Sequence, residues 1–201
     1  MYNLKYIVKN IKEFNKEDLN DFYLRIPKQK RMQIDKYKNY ETKTRTLVAE
    51  ILLNNLLASQ NISYQNTKYF NNKYGKPYLK NSELFFNVSH SFDYVITTIS
   101  NKEIGIDIEK VRKTSLKVIN QFATSKEKKY ILSSDENIEE RIFKIYTLKE
   151  AYFKMLGTNL NHILEIEFII KNDKVYCSDK NVKVGFINDV KGYIIAYCEK
   201  K

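Results

Sequence analysis

The chain has 201 residues, 43% of them hydrophobic, enough for one large domain or two small halves around a real core. Its two cysteines, Cys177 and Cys198, lie far apart without metal or redox spacing, and no window is apolar enough to cross a bilayer, which excludes a cysteine-built metal or redox centre and a membrane-spanning helix. Lys+Arg 35 against Asp+Glu 24 leaves +11, a balance that suits nucleic acid, an anionic membrane, a polyphosphate ligand or an acidic protein, although a biased genome gives the same composition.

The N-terminal stretch MYNLKYIVKNIKEF has no long apolar run and no cleavage signature, so the expectation is a soluble cytoplasmic protein with reduced thiols. With 5 Gly and 2 Pro and no Gly/Ser-rich linker, one compact body is expected. Periodicity predicts a long helix over residues 41–59, with an apolar stripe of Leu47, Val48, Ile51, Leu52 and Leu56. Strands follow in ELFFNVS (83–89), YVITTIS (94–100) and IGIDIE (104–109). Thr124-x-x-Glu127 matches a capping box that opens a short helix. A second long helix covers 139–157, its apolar face Ile145, Leu148, Tyr152, Met155 and Leu156, with Gly157 as the stop. LEIEFII, KVYCS, KVGFI and GYIIAYC complete the strands. Segregated strands and helices predict an α+β fold. Residues 86–100 echo 185–199, and the two long helices stand apart by a similar offset. The expected architecture is therefore two pseudo-symmetric halves, 1–101 and 102–201, each of antiparallel strands plus a long helix, facing across a cleft.

Chemistry gathers in a few places. In GIDIE, strand alternation puts Asp107 and Glu109 on one face and Ile106 and Ile108 on the other. An ordinary half-exposed strand explains this, and so does a cation site: two carboxylates about 5 Å apart repel by roughly 3 kcal/mol at an effective dielectric near 20, which a lysine or a divalent ion relieves. In TLKEAYFK, Glu150 and Lys154 lie four apart opposite the apolar stripe, with Lys149 nearer the core. A solvated Glu-to-Lys pair accounts for them too. FNVSHS ends an apolar strand on Ser89 and His90. It reads as a structural histidine or as a phosphate-binding pair, and poorly as nucleophile and base, because neighbours on a strand point apart and no nucleophile elbow surrounds them. YGKPYL adds a tight turn at Gly75 and a cation at Lys76.

YGKPYL (74–79), FNVSHS (86–91), GIDIE (105–109) and LKEAYFKMLG (148–157), in this order and spacing, resemble the signature set of the Sfp-type 4'-phosphopantetheinyl transferases. Tyr146 stands where that family usually has Trp, and Asn159 where it commonly has Gly. The resemblance implies a monomer that binds coenzyme A as co-substrate and Mg²⁺ (or Mn²⁺), and moves the phosphopantetheine arm to a serine of an acidic apo acyl or peptidyl carrier protein. It implies Asp107, Glu109 and Glu150 as metal ligands, with Glu150 the first choice of base and Glu109 or a metal-bound water as rivals. Ser89, His90, Lys149 and Lys154 would contact the coenzyme A phosphates, Arg45 and Lys76 the nucleotide end, and Lys30 and Arg31 the 3'-phosphate; His90 and Lys154 would act in the transfer itself. Neither nucleic acid nor membrane is expected as a partner. A Mg²⁺-dependent nuclease uses similar acids and a lysine, but sets acid and lysine on a strand rather than on a helix as here. A non-catalytic carrier-protein or nucleotide-binding module would not require all three acids.

Overall fold

The computed structural model describes residues 4–172 and 174–201, so the reading of the chain's first three residues lies outside it. The chain begins with β1 (Lys5–Asn10), α1 (Lys16–Arg25), α2 (Lys28–Ile34) and α3 (Tyr40–Ala58), then a hairpin of β2 (Tyr69–Asn71) and β3 (Pro77–Leu79), then β4 (Phe85–Ser91) and β5 (Tyr94–Ser100). The same series follows again: β6 (Ile104–Lys110), α4 (Ile119–Phe122), α5 (Ser125–Ile131), α6 (Ile138–Leu156), a hairpin of β7 (Phe168–Lys171) and β8 (Lys174–Cys177), then β9 (Val182–Ile187) and β10 (Tyr193–Lys200). Both runs give a three-stranded antiparallel sheet with its last strand in the centre, β1-β5-β4 and β6-β10-β9. The expected α+β fold of two similar halves is what the chain adopts.

Each sheet carries one long helix. Asn39 caps α3 by accepting from the Thr42 N–H, and Leu47, Val48, Leu52, Leu53, Leu56 and Leu57 bury its inner face. α6 buries Ile145, Leu148, Ala151 and Met155 and stops where Gly157 turns left-handed (φ 64°). One glycine sets how closely α6 approaches its sheet. A Cβ on Gly105 would fall 2.0 Å from the Ala151 carbonyl oxygen and 2.3 Å from the Met155 nitrogen, so only glycine lets β6 lie against the helix backbone there. A separate apolar cluster, Ile96 of β5 with Ile106, Ile108, Ile187 and Ile195 of the second sheet, lies between the halves.

LEIEFII is strand only from Phe168, because the carbonyls of Ile163 and Ile166 turn away to the buried Lys149 ammonium. The sequence reading did not include β1, α1, α2, β2, β3 or α4. Among the described residues no helix is long and apolar enough to cross a membrane.

β4 and β6 run side by side but belong to separate sheets. Side chains join them: Asn87 Oδ1, Ser89 Oγ and Ser91 Oγ accept from the N–H groups of Ile106 (2.9 Å), Ile108 (3.4 Å) and Lys110 (3.2 Å). Alternate residues of one strand thus satisfy alternate backbone donors of the other. FNVSHS is the seam between the halves.

Candidate active site

Asp107 stands at that seam, 3% exposed. Its Oδ1 accepts from the Ser89 hydroxyl (2.7 Å) and from Lys154 Nζ (2.6 Å), and Lys154 also donates to Ser89 Oγ (2.9 Å). Its Oδ2 is buried with no partner. Glu109, two residues on and on the same face, accepts from Ser91 (3.0 Å) and from Arg112 (3.2 Å). From α6, Glu150 accepts from the Tyr146 hydroxyl (2.9 Å). Burial pushes the Glu150 carboxyl above its usual range, and the negative charges of Asp107 and Glu109 push it further, against the opposing pull of Tyr146 and Lys154. The three acids therefore feel one another.

As they stand, no three His, Cys, Asp or Glu side chains among the described residues are gathered closely enough to hold a metal ion. The donor chemistry nonetheless suits a hard divalent cation: an oxygen-only set, a Glu150 carboxyl held back from ionising by burial and then by the charges of Asp107 and Glu109, and an unpartnered buried carboxylate oxygen.

His90 points away from Ser89, open to solvent on one side. Packing pushes its pKa below the ordinary histidine value, and the charges of Arg45 and Lys154 push the same way. Arg45, from the first turns of α3, donates to the Phe92 carbonyl (3.2 Å) and to Glu41 (3.4 Å), while its Nε is buried and unpartnered. An orphaned cationic donor and an orphaned anionic acceptor thus flank Ser89 and His90.

Four expected contacts need correction. Lys149 is fully buried, paired with Glu127 at 2.8 Å and donating to the carbonyls of Ile163 (2.7 Å) and Ile166 (2.8 Å), so no phosphate reaches it. Lys76 is 7% exposed and its Nζ is spent on the carbonyls of Met155 (2.6 Å) and Ile104 (3.2 Å); burial lowers its pKa to about 8. Lys30 is locked to Glu50 at 2.6 Å, over the ring of Tyr69, and Glu50 also accepts from Tyr64. Arg31 reaches only the Leu24 carbonyl, at 3.5 Å, and does not join the cluster. The structure brings together Ser89, His90, Asp107, Glu109, Glu150, Lys154 and Arg45. It adds Asn87, Ser91, Arg112 and Tyr146, which the sequence reading did not place in the site; the alternation Asn-x-Ser-x-Ser in β4 was the available sign of the first two.

Glu150 offers a test that needs no substrate. Its folded pKa lies above its unfolded one, so its contribution favours the fold at low pH and turns against it as pH rises through the folded value. Glu150→Gln is expected to raise the Tm of the metal-free protein at pH 7.5 and to leave it unchanged below the usual carboxylate range. A lower Tm at pH 7.5 would contradict the raised carboxyl and the burial and repulsion behind it.

Residues 103–198 match the family model of the 4'-phosphopantetheinyl transferase superfamily, and residues 14–103 match that described as 4'-phosphopantetheinyl transferase, N-terminal. The 4'-phosphopantetheinyl transferase gsp of Aneurinibacillus migulanus is 30% identical over 167 residues, covering 82% of this chain and 70% of that one. The 4'-phosphopantetheinyl transferase Sfp of Bacillus subtilis (strain 168) is 27% identical over 150 residues, 73% of this chain and 67% of that one. Among solved structures, a Thermotoga maritima holo-[acyl-carrier-protein] synthase overlaps 49% of this chain and 62% of its own, with 27% identity and a TM-score of 0.42. The chain belongs to the 4'-phosphopantetheinyl transferase family of enzymes, as its motifs implied.

Proposed function

We propose that this enzyme transfers the 4'-phosphopantetheine arm of coenzyme A to a serine of an apo acyl or peptidyl carrier protein, with Mg²⁺ or Mn²⁺ held by Asp107, Glu109 and Glu150. The observation that carries this reading is that two of the three unpartnered buried side-chain atoms among the described residues, Asp107 Oδ2 and Arg45 Nε (the third is Thr147 Oγ1), belong to the side chains that hold Ser89 and the Phe92 carbonyl at the two ends of His90's strand segment. One calls for a cation and the other for an anion, and a metal–diphosphate supplies both.

When bound, the cation would neutralise charge on the diphosphate oxygens. This chain's residues do the rest. Lys154, already aimed at Asp107 and Ser89, and Arg45 beside His90 are cationic donors for the phosphates. His90, whose pKa burial lowers and the charges of Arg45 and Lys154 lower further, is a ring N–H donor for a phosphate oxygen. Glu150, whose carboxyl is poised above the ordinary range, takes the proton of the carrier serine. The serine oxygen then bonds to phosphorus, the bond to the bridging oxygen breaks, and adenosine 3',5'-bisphosphate leaves with that oxygen's charge. In this reading a single chain acts in the cytoplasm, and its +11 charge draws in acidic carriers without nucleic acid or membrane as partners. The nuclease alternative loses its Lys149-Glu150 pair, since Lys149 is buried against Glu127.

Intact-protein mass spectrometry tests the proposal. With coenzyme A and Mg²⁺, an apo carrier is expected to gain one phosphopantetheine mass. No gain on a panel of acyl and peptidyl carriers, together with cleavage of DNA or RNA, would overturn it.

A further inference from the structure

The YGKPYL turn remains unexplained once Lys76 is removed from the coenzyme site, and its actual contacts point to a different task. The turn belongs to the first half of the chain, yet it closes on the end of α6 in the second. Asn72 Nδ2 donates to the Gly157 carbonyl (2.7 Å), while Asn72 Oδ1 holds the turn's own shape by accepting from the N–H groups of Tyr74 (2.9 Å) and Lys76 (3.0 Å). Lys76 Nζ then bridges the Met155 carbonyl of α6 and the Ile104 carbonyl of β6. The last carbonyls of a helix have no intrahelical partner, and a lysine is a natural cap for them. Here one ammonium takes a carbonyl from the helix and another from the strand the helix lies on. The fit leaves little slack: a Cβ on Gly157 would fall 2.8 Å from each of Asn72 Nδ2, Lys76 Cδ and the Tyr78 hydroxyl.

Both bridged residues adjoin the site. Met155 follows Lys154, and Ile104 lies three residues before Asp107, with Gly105 pressed against the α6 backbone between them. Sliding α6 along β6 would part Lys154 Nζ from Asp107 Oδ1, now 2.6 Å away. We propose that Lys76, with Asn72, is a positioning clasp that fixes the register of α6 on β6 and thereby holds Lys154 against Asp107 and Ser89. Ile104, Met155, Glu103, Lys200 and Tyr78 are the groups around its ammonium, and none of them is a proposed metal ligand. A buried ammonium carries a desolvation cost, offset here by the two carbonyl acceptors it joins.

The test has two arms. In the first, which needs no activity, the ammonium signal of Lys154 is followed by ¹H–¹⁵N NMR at low temperature in wild type and in Lys76→Met. It is expected to be protected in wild type and to vanish into solvent exchange in the variant, while the backbone amide spectrum stays folded. An unchanged Lys154 signal overturns the clasp. If Lys76→Met does not fold, Asn72→Ala carries this arm, with the same signal expected to weaken and an unchanged signal again fatal.

The second arm rests on the proposed transferase reaction. Lys76→Met is expected to lower kcat/KM for coenzyme A about tenfold or more, and to cost nothing further when added to Lys154→Met. A loss that adds in full to that of Lys154→Met would show that Lys76 acts apart from Lys154 and overturn the clasp. A wild type that transfers nothing would count against the reaction and leave the NMR arm to decide the clasp.

Discussion

Asp107→Ala is expected to lower transfer by ~10²–10³-fold at saturating Mg²⁺ while the protein stays folded. Asp107 is where the site's interactions converge: it orders Ser89 and Lys154 with one oxygen and presents the other, unpartnered, to the seam. Removing it leaves Ser89 anchored to the Ile108 N–H and lets Lys154, whose side chain is 31% exposed, turn to water. The fold loses little, because no backbone group depends on the carboxylate. Steady-state kinetics with a folded-state check by circular dichroism reads both quantities. Undiminished turnover would refute the metal role of Asp107.

Lys149→Met is the opposite case, a loss of stability far larger than any loss of binding. Both members of the Lys149–Glu127 pair are 0% exposed, and removing one partner of such a pair costs about 3–5 kcal/mol. Against a total stability of about 5–15 kcal/mol, that leaves a marginal protein. A hydrophobic double replacement often repairs a buried ion pair, but here it is not expected to. Glu127 also accepts from the N–H groups of Thr124 (2.7 Å) and Phe168 (2.8 Å), and Lys149 serves the carbonyls of Ile163 and Ile166. Four backbone groups in α5, β7 and the connecting turn would be orphaned together. Urea denaturation of Lys149→Met and of Lys149→Met/Glu127→Leu tests this. Wild-type stability in the double variant would show that the pair is dispensable.

The sequence revealed what local chemistry decides. The two long helices were legible from their apolar period, and Gly157 and the Thr124–Glu127 box from capping chemistry, because each depends on residues within a few positions. The acids were legible as well: alternation places Asp107 and Glu109 on one face of β6, and helical spacing places Glu150 and Lys154 together on α6. The fates of individual lysines were hidden. Lys149, Lys76 and Lys30 look alike on paper, and what separates them is a partner far along the chain: Glu127, the end of α6 and Glu50. β2 and β3, of three residues each, carry too short a pattern to read, and β1 has exposed Lys5 and Lys9 with half-buried residues between and after them, without clean alternation. Asn87, Ser89 and Ser91 could be read as polar residues on one strand face, but their task of satisfying a neighbouring strand's backbone emerges only once the two halves are laid together.

Whether one ion and one diphosphate share the seam can be measured without turnover. With the carrier omitted, Mn²⁺ is titrated into the enzyme–coenzyme A complex and the ³¹P signals of the diphosphate are followed. Strong broadening at substoichiometric Mn²⁺, lost in Asp107→Ala, is the expected result. Equal broadening in wild type and variant would mean that the ion rides on coenzyme A alone and that these carboxylates do not hold it.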